Sequence, residues 1–328
     1  MARPAGLPGF EKGKHILNTS VALIGAPTDI GAGALGASMG PQALRVAGLD
    51  RALRRQGCEV IDTGDLIGPP NPWQPAVQGY RHLPQVVQWN TRVFEAVTDQ
   101  LQAGRVPMLL GGDHCLGMGS VGAVARHCRQ RGRPLRVFWL DAHTDFNTAQ
   151  LTPSGNVHGM PVACLCGFGP RELTDLGGPS PALRADELRM IGIRSVDAGE
   201  RQFVHEQGLD VYDMRTIDER GMRAVMEAAL DGLPPQAHVH VSFDVDFLDP
   251  DYAPGVGTTV RGGPTWREAQ LCMEMLADTG QVGSVDIVEL NPALDVRNGT
   301  AKVAVELIES LFGKSTLIRR SRDERPAR

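Results

Sequence analysis

Three short stretches carry aspartate and histidine at spacings that suit metal ligation: Gly111-Gly112-Asp113-His114, Asp141-Ala142-His143-Thr144-Asp145 and Asp244-Val245-Asp246. Each follows an apolar run that reads as a β-strand, so each places its polar groups at a strand's C-terminal end, where open parallel sheets carry their chemistry. The paired glycines let the chain turn sharply before His114. Alternate residues of an extended strand share a face, so Asp141, His143 and Asp145 are expected to converge, as are Asp244 and Asp246. Four such aspartates cannot crowd together unpaired, because repulsion and desolvation would force some of them to protonate. Metal is the natural counterion. Two imidazoles with four carboxylates form a hard, oxygen-rich set that suits Mn and is borderline for Fe, Co or Zn; the absence of thiolate argues against structural Zn. Six ligands exceed the needs of one ion, and carboxylates bridging two ions is the economical arrangement, with a shared water activated near neutral pH.

The elements that must hold these groups alternate strand and helix. Strands are expected at 20–25, 59–62, 106–110, 135–140, 188–193, 211–212, 239–243 and 284–288, and helical periodicity appears at 42–56, 86–103, 119–131, 222–230, 266–277 and 303–312. That alternation is the signature of βα units around a parallel sheet. Pro41 and Pro264 stand just before helical runs, where a missing N–H costs little. Segments 68–79 and 147–159 read as loops, and long loops in a compact domain are commonly functional. No repeat or linker interrupts the chain. One domain over residues 1–328 is expected, ending in a polar, basic, loosely held tail at 314–328.

Composition narrows the partners. At 328 residues and 42% hydrophobic content the chain can bury a large core. A net charge of -5 from 33 basic and 38 acidic residues, without a basic patch or stacking motif, points away from nucleic acid and toward a small molecule. The six cysteines sit mostly in apolar stretches and read as reduced core residues; Cys164-Leu165-Cys166 lacks the second ligand pair that a zinc site needs. Residues 1–14 show no apolar leader core and no run is long enough to cross a membrane, so a soluble, cytoplasmic protein is expected.

The motifs GGDH at 111–114, DAHTD at 141–145 and SFDVDFLDP at 242–250 together resemble the ureohydrolase family of arginases, agmatinases, formiminoglutamases and relatives. The resemblance runs from Ile24-Gly25-Ala26-Pro27 to Glu289-Leu290-Asn291-Pro292 and points to the arginase branch. It implies a single three-layer α/β/α domain with an eight-stranded, mostly parallel sheet. It also implies two Mn2+ ions per chain, one held by His114, Asp141, Asp145 and Asp244, the other by His143, Asp141, Asp244 and Asp246, with Asp141 and Asp244 bridging. A metal-bridging hydroxide would attack the guanidinium carbon of L-arginine, giving L-ornithine and urea. In the loop 147–159, Asn147, Thr152, Ser154 and Asn156 would read the α-carboxylate, while Asp197 with Glu200 nearby would face the α-amino group; an ammonium wants a carboxylate partner.

By the same resemblance His158 would shuttle a proton to the leaving amine, a role open to a group that titrates near neutrality. Its bland alternative is a histidine that merely orders its loop. Glu289 would receive the guanidinium, whose forked donors pair well with a carboxylate. Thr258 would lie near the same group or serve only the turn Gly255-Val256-Gly257-Thr258-Thr259. Homotrimers or homohexamers assembled through C-terminal regions are a family property, although the tail from Leu317 does not match recognisably. Two competing functions remain: an agmatinase or other guanidino-acid amidinohydrolase, against which the loop 147–159 and Asp197 together favour an α-amino acid, and a non-catalytic metal-binding homologue, which predicts a missing ligand where none is missing.

Overall fold

A computed structural model describes residues 19–317; the N-terminal stretch 1–14 and the tail from 318 lie outside the described residues. The eight expected strands form, as β1 (Ser20–Ala26), β2 (Glu59–Asp65), β3 (Val106–Gly111), β4 (Leu135–Leu140), β5 (Leu188–Ile193), β6 (Val211–Asp213), β7 (His238–Asp244) and β8 (Val282–Val288). They make one sheet in the order β2-β1-β3-β8-β7-β4-β5-β6, every pairing parallel. Parallel neighbours require crossovers, and helices fill these on both faces. β4 and β7 are therefore buried along their whole length; β4 runs mostly apolar, whereas β7 alternates Val239, Val241 and Phe243 with polar residues that are also buried.

On one face, helices Gly40–Val46, Leu49–Arg55, Met222–Ala229, Trp266–Ala277 and Gly299–Leu311 bury Leu44, Leu53, Met226, Met273 and Leu307 against the sheet. On the other, Leu83–Gln102 and Gly117–Gln130 bury Trp89, Val93, Val121 and Val124. The domain is thus the three-layer α/β/α sandwich expected. The single helix expected at 42–56 is broken in two, because Gly48 adopts φ +90, a left-handed conformation that glycine accepts at little cost. Helices Ala198–Glu206 and Met214–Arg220 were not expected; both are short and mostly polar, and Ile217 is the one buried residue of the second. Segment 68–79 holds no helix or strand, and 147–159 ends in the 3-10 turn Val157–Gly159. The six cysteines are unpaired and five are buried. Among the described residues no helix is long and apolar enough to cross a membrane. Lys314 is tied to Glu309 at 2.8 Å.

A polar stripe runs through this apolar interior along β7 and β8. His238 Nε2 and His240 Nδ1 both meet Ser284 Oγ at 2.8 Å, and His240 Nε2 meets Asp286 Oδ2 at 3.2 Å. Ser120 donates to the other oxygen of Asp286. Burial, then Arg133 and the neighbouring His240 and His127, push His238 down from 6.5 to about 3. Above pH 6.5 the ring is neutral in folded and unfolded chain alike; below it only the unfolded chain takes up the proton, so stability is lost as pH falls toward 3. This ring alone should cost about 2 kcal/mol between pH 7 and pH 5. Urea unfolding in the presence of chelator, which keeps metal release out of the comparison, should show a shallower acid loss for His238→Gln than for the parent; equal slopes would exclude the ring as a source.

Candidate metal centre and its cavity

β3, β8, β7 and β4 are successive neighbours in the sheet, and their C-terminal ends bring the three motifs and Glu289 to one place. The convergence is not the work of the pleat alone. Asp113 Oδ1 accepts from the amide of Cys115 at 3.0 Å, Asp141 Oδ1 from that of His143 at 2.6 Å, and Asp244 Oδ1 from that of Asp246 at 2.7 Å. Each strand therefore leaves the sheet through an aspartate that caps the amide two residues on, an Asx turn. His143 and Asp246 lie beyond regular strand, and Asp145 sits at φ +50, so the shared-face expectation gives the right neighbours for an incomplete reason. Glu289 is likewise left-handed at φ +62. Such conformations in non-glycine residues cost about 1–3 kcal/mol each and persist where surrounding structure enforces them.

His114 Nδ1 lies 3.1 Å from one oxygen each of Asp141, Asp145 and Asp244. His143 Nδ1 lies 3.1 Å from Asp246 Oδ2 and 3.4 Å from Asp141 Oδ1. Asp141 thus turns one oxygen to each imidazole, the placement of a bridging carboxylate. Two trios can each hold an ion: His114, Asp141 and Asp244, and Asp141, His143 and Asp246. Behind them, His114 Nε2 meets Ser242 Oγ at 2.9 Å and its ring stacks on Trp139 at 4.0 Å. Trp139 Nε1 donates to Asp141 Oδ2 at 2.9 Å, and Thr258 Oγ1 donates to Asp246 Oδ2 at 3.0 Å. Such outer contacts fix ring orientation and ligand basicity. Sequence reasoning passed over Trp139 and Ser242, although each stands two residues before a ligand and the same-face rule extends to both.

The cluster draws in positive charge. Burial and the charge of Asp141 push Asp145 up to about 7, and burial with Asp246 and Asp141 lifts Asp244 well above the usual carboxylate range. Burial works against charge on the imidazoles too, yet the aspartates outweigh it: Asp246 and Asp141 lift His143 to about 12, and Asp141, Asp145 and Asp244 raise His114 far above its usual value. A group of acids that can stay ionised only by gathering cationic partners fits a pair of divalent ions, and its donor set is the hard, oxygen-rich one that Mn or a similar ion takes.

Above this floor opens a cavity of about 230 Å³. His114, His143, Asp145 and Asp244 form its base, while Asp141 and Asp246 lie below the surface. Glu289 and His158 stand on one wall: Glu289 Oε1 accepts from the amide of His114 at 2.8 Å and meets His158 Nδ1 at 3.0 Å. Despite burial, Glu289 lifts His158 to about 9. Asn147, Thr152, Ser154 and Asn156 line the cavity together with Asp197, and Ser195, not singled out from sequence, joins them. Asn147 Nδ2 donates to Asp197 Oδ2 at 3.1 Å, while Asn147 Oδ1 is buried without a partner. Glu200 also reaches the wall, but its oxygens accept from Thr144, the Phe146 amide at 2.8 Å and the Asp197 amide at 3.2 Å. Glu200 therefore holds the start of helix Ala198–Glu206 in place, and Asp197 is the carboxylate left to face the opening.

The model of the arginase family matches residues 19–313. The chain is 44% identical over 300 residues to an arginase of Bacillus caldovelox, covering 90% of this chain and 99% of that one. It is 45% identical over 303 residues to an arginase of Brucella melitensis, covering 90% and 97%. The solved native structure of an arginase from B. caldovelox superposes with a TM-score of 0.86 at 43% identity, over 91% of this chain and all of that one.

If Asp141 serves both trios, Asp141→Ala should bring bound Mn2+ per chain, measured by atomic emission after dialysis, well below two; retention of both ions would remove Asp141 from the ligand set.

Proposed function

The chain belongs to the arginase family, and from that premise we propose that it hydrolyses L-arginine to L-ornithine and urea with two bound Mn2+ ions. The observation that carries the proposal is the meeting of two His/Asp trios able to hold metal, with Asp145 beside them, and a cavity whose rim suits an α-amino acid. One ion would be held by His114, Asp141, Asp145 and Asp244, the other by His143, Asp141, Asp244 and Asp246. Such a pair supplies Lewis acidity that brings water's pKa toward neutrality.

The protein's own groups do the rest. Glu289 receives the guanidinium; its Oε1 is held by the His114 amide and His158, and its Oε2 is turned toward Gly257. A forked cation beside a buried carboxylate is a strong and orienting pair. Thr258 is held at the same end through Asp246. At the rim, Asp197 is an acceptor that suits the α-ammonium, while the Thr152 and Ser154 hydroxyls and the Asn147 and Asn156 amides offer donors to the α-carboxylate. Agmatine lacks that carboxylate and would leave those donors unpaired, a difference on which discrimination of substrates can rest.

His158 holds a proton through neutral pH, because Glu289 keeps its pKa near 9. With Nδ1 on Glu289, Nε2 is the ring nitrogen left to hand that proton to the leaving amine. Unpaired cysteines are in keeping with a reducing cytoplasm, and the family resemblance extends the proposal to a homotrimer or homohexamer.

Urea release from L-arginine and from agmatine, measured side by side on Mn-loaded protein with a chelated control, should favour L-arginine strongly; preference for agmatine would overturn the substrate assignment. His158→Ala should retain both ions and the KM for L-arginine while kcat falls by roughly 10²-fold or more. Loss of metal in that variant would refute the proton-transfer role.

A further inference from the structure

Arg194 stands beside the site, and its side chain is committed to backbone carbonyls. Its guanidinium donates to five of them: Asp246 O at 2.7 Å, Phe247 O at 3.0 Å and Leu248 O at 3.0 Å, Gly192 O at 3.1 Å, and Val260 O at 2.9 Å from Nη2 and 3.1 Å from Nε. Three of these acceptors are successive carbonyls of the turn that carries Asp246. The fourth belongs to the end of β5, and the fifth to the loop that brings Thr258 to Asp246 at 3.0 Å. The Arg194 amide also donates to Ala142 O at 2.8 Å, beside His143.

The surroundings are shaped for that fork. A Cβ added at Gly263 would lie 2.6 Å from Arg194 Nη2 and 2.7 Å from the Asp249 amide, so the backbone leaves room there for the guanidinium. Asp249 Oδ2 accepts from the Gly262 and Gly263 amides at 2.7 and 3.1 Å and closes the same loop from its other end. Asp246, Asp141, Asp249 and Asp244 all act on the Arg194 charge through space.

We propose that Arg194 is a positioning residue for the ion held by His143 and Asp246: by gripping the 246–248 carbonyls and the Thr258 loop together, it fixes the direction of the Asp246 carboxylate. The trio around His114 hangs on β3, β4 and β7 themselves and on Ser242 and Trp139, none of which Arg194 touches. Its effect should therefore fall on one ion. Lysine at this position would keep the charge, but a single ammonium cannot span five carbonyls on three segments.

The inference rests on the two-ion assignment above, and titration of chelated protein with Mn2+, resolving two dissociation constants, tests both. The parent protein should bind two ions per chain. Arg194→Lys should weaken one of them by about 10–100-fold, the range for loss of an outer-shell contact, and leave the other within about threefold. In an Asp246→Ala background the same substitution should add little, because its target is already gone. Gly263→Ala, which crowds the guanidinium while leaving Arg194 in the chain, should reproduce the selective loss and covers the case in which Arg194→Lys does not fold. Equal weakening of both ions, or two unchanged constants, would overturn the role of Arg194; fewer than two ions in the parent protein would overturn the two-ion assignment first.

Discussion

Four aspartates buried within bonding distance of two imidazoles cannot all keep their charge unaided, and the rest of the structure is arranged around that constraint. The burial that lifts Asp145 and Asp244 is the same burial that gives a bound cation its strength, since a low dielectric magnifies attraction and repulsion alike. Flexible carriers would let such a cluster fly apart. β4 and β7 cannot yield, being buried throughout and paired on both sides.

The strands do not themselves aim the ligands; the turns that follow them do. Three times an aspartate at a strand's end accepts the amide two residues on, and so folds the next polar side chain back over the sheet's edge. At Asp141 and Asp244 one carboxylate oxygen does this while the other faces the His114 side of the cluster, so a single side chain serves as turn former and ligand candidate. The left-handed backbone at Asp145 and Glu289 adds strain at the same edge, held there by the packing beneath.

Rigidity is unevenly shared. The metal floor stands on the sheet, whereas the groups that would read the substrate's amino-acid end come from the loop 147–156 and the start of helix Ala198–Glu206. Arg194 and Glu200 join the two regimes, one by gathering backbone carbonyls and the other by gathering hydroxyl and amide donors. Most of their partners are remote in sequence, and that part of either role could not be read from spacing. Glu200, which the family resemblance groups with Asp197, also stands at the interval by which a helix's first turn closes on its own start.

Much was legible beforehand because it is local. Apolar runs of strand length, glycine pairs and Asp/His alternation depend on a few adjacent residues, so the eight strands, the three ligand clusters and the rim loop could be found from the chain alone. The break at Gly48 and the two short polar helices were not, since a left-handed glycine and a helix with one buried residue leave almost no periodic trace. By itself the sequence determined which residues could bind metal and that strand ends would carry them. Only the tertiary structure decided that β8 and β7, the last strands made, insert between β3 and β4. That insertion brings Asp244, Asp246 and Glu289 to His114 and Asp141, because sheet order is fixed by how all the crossovers pack at once, and no single stretch of sequence contains it.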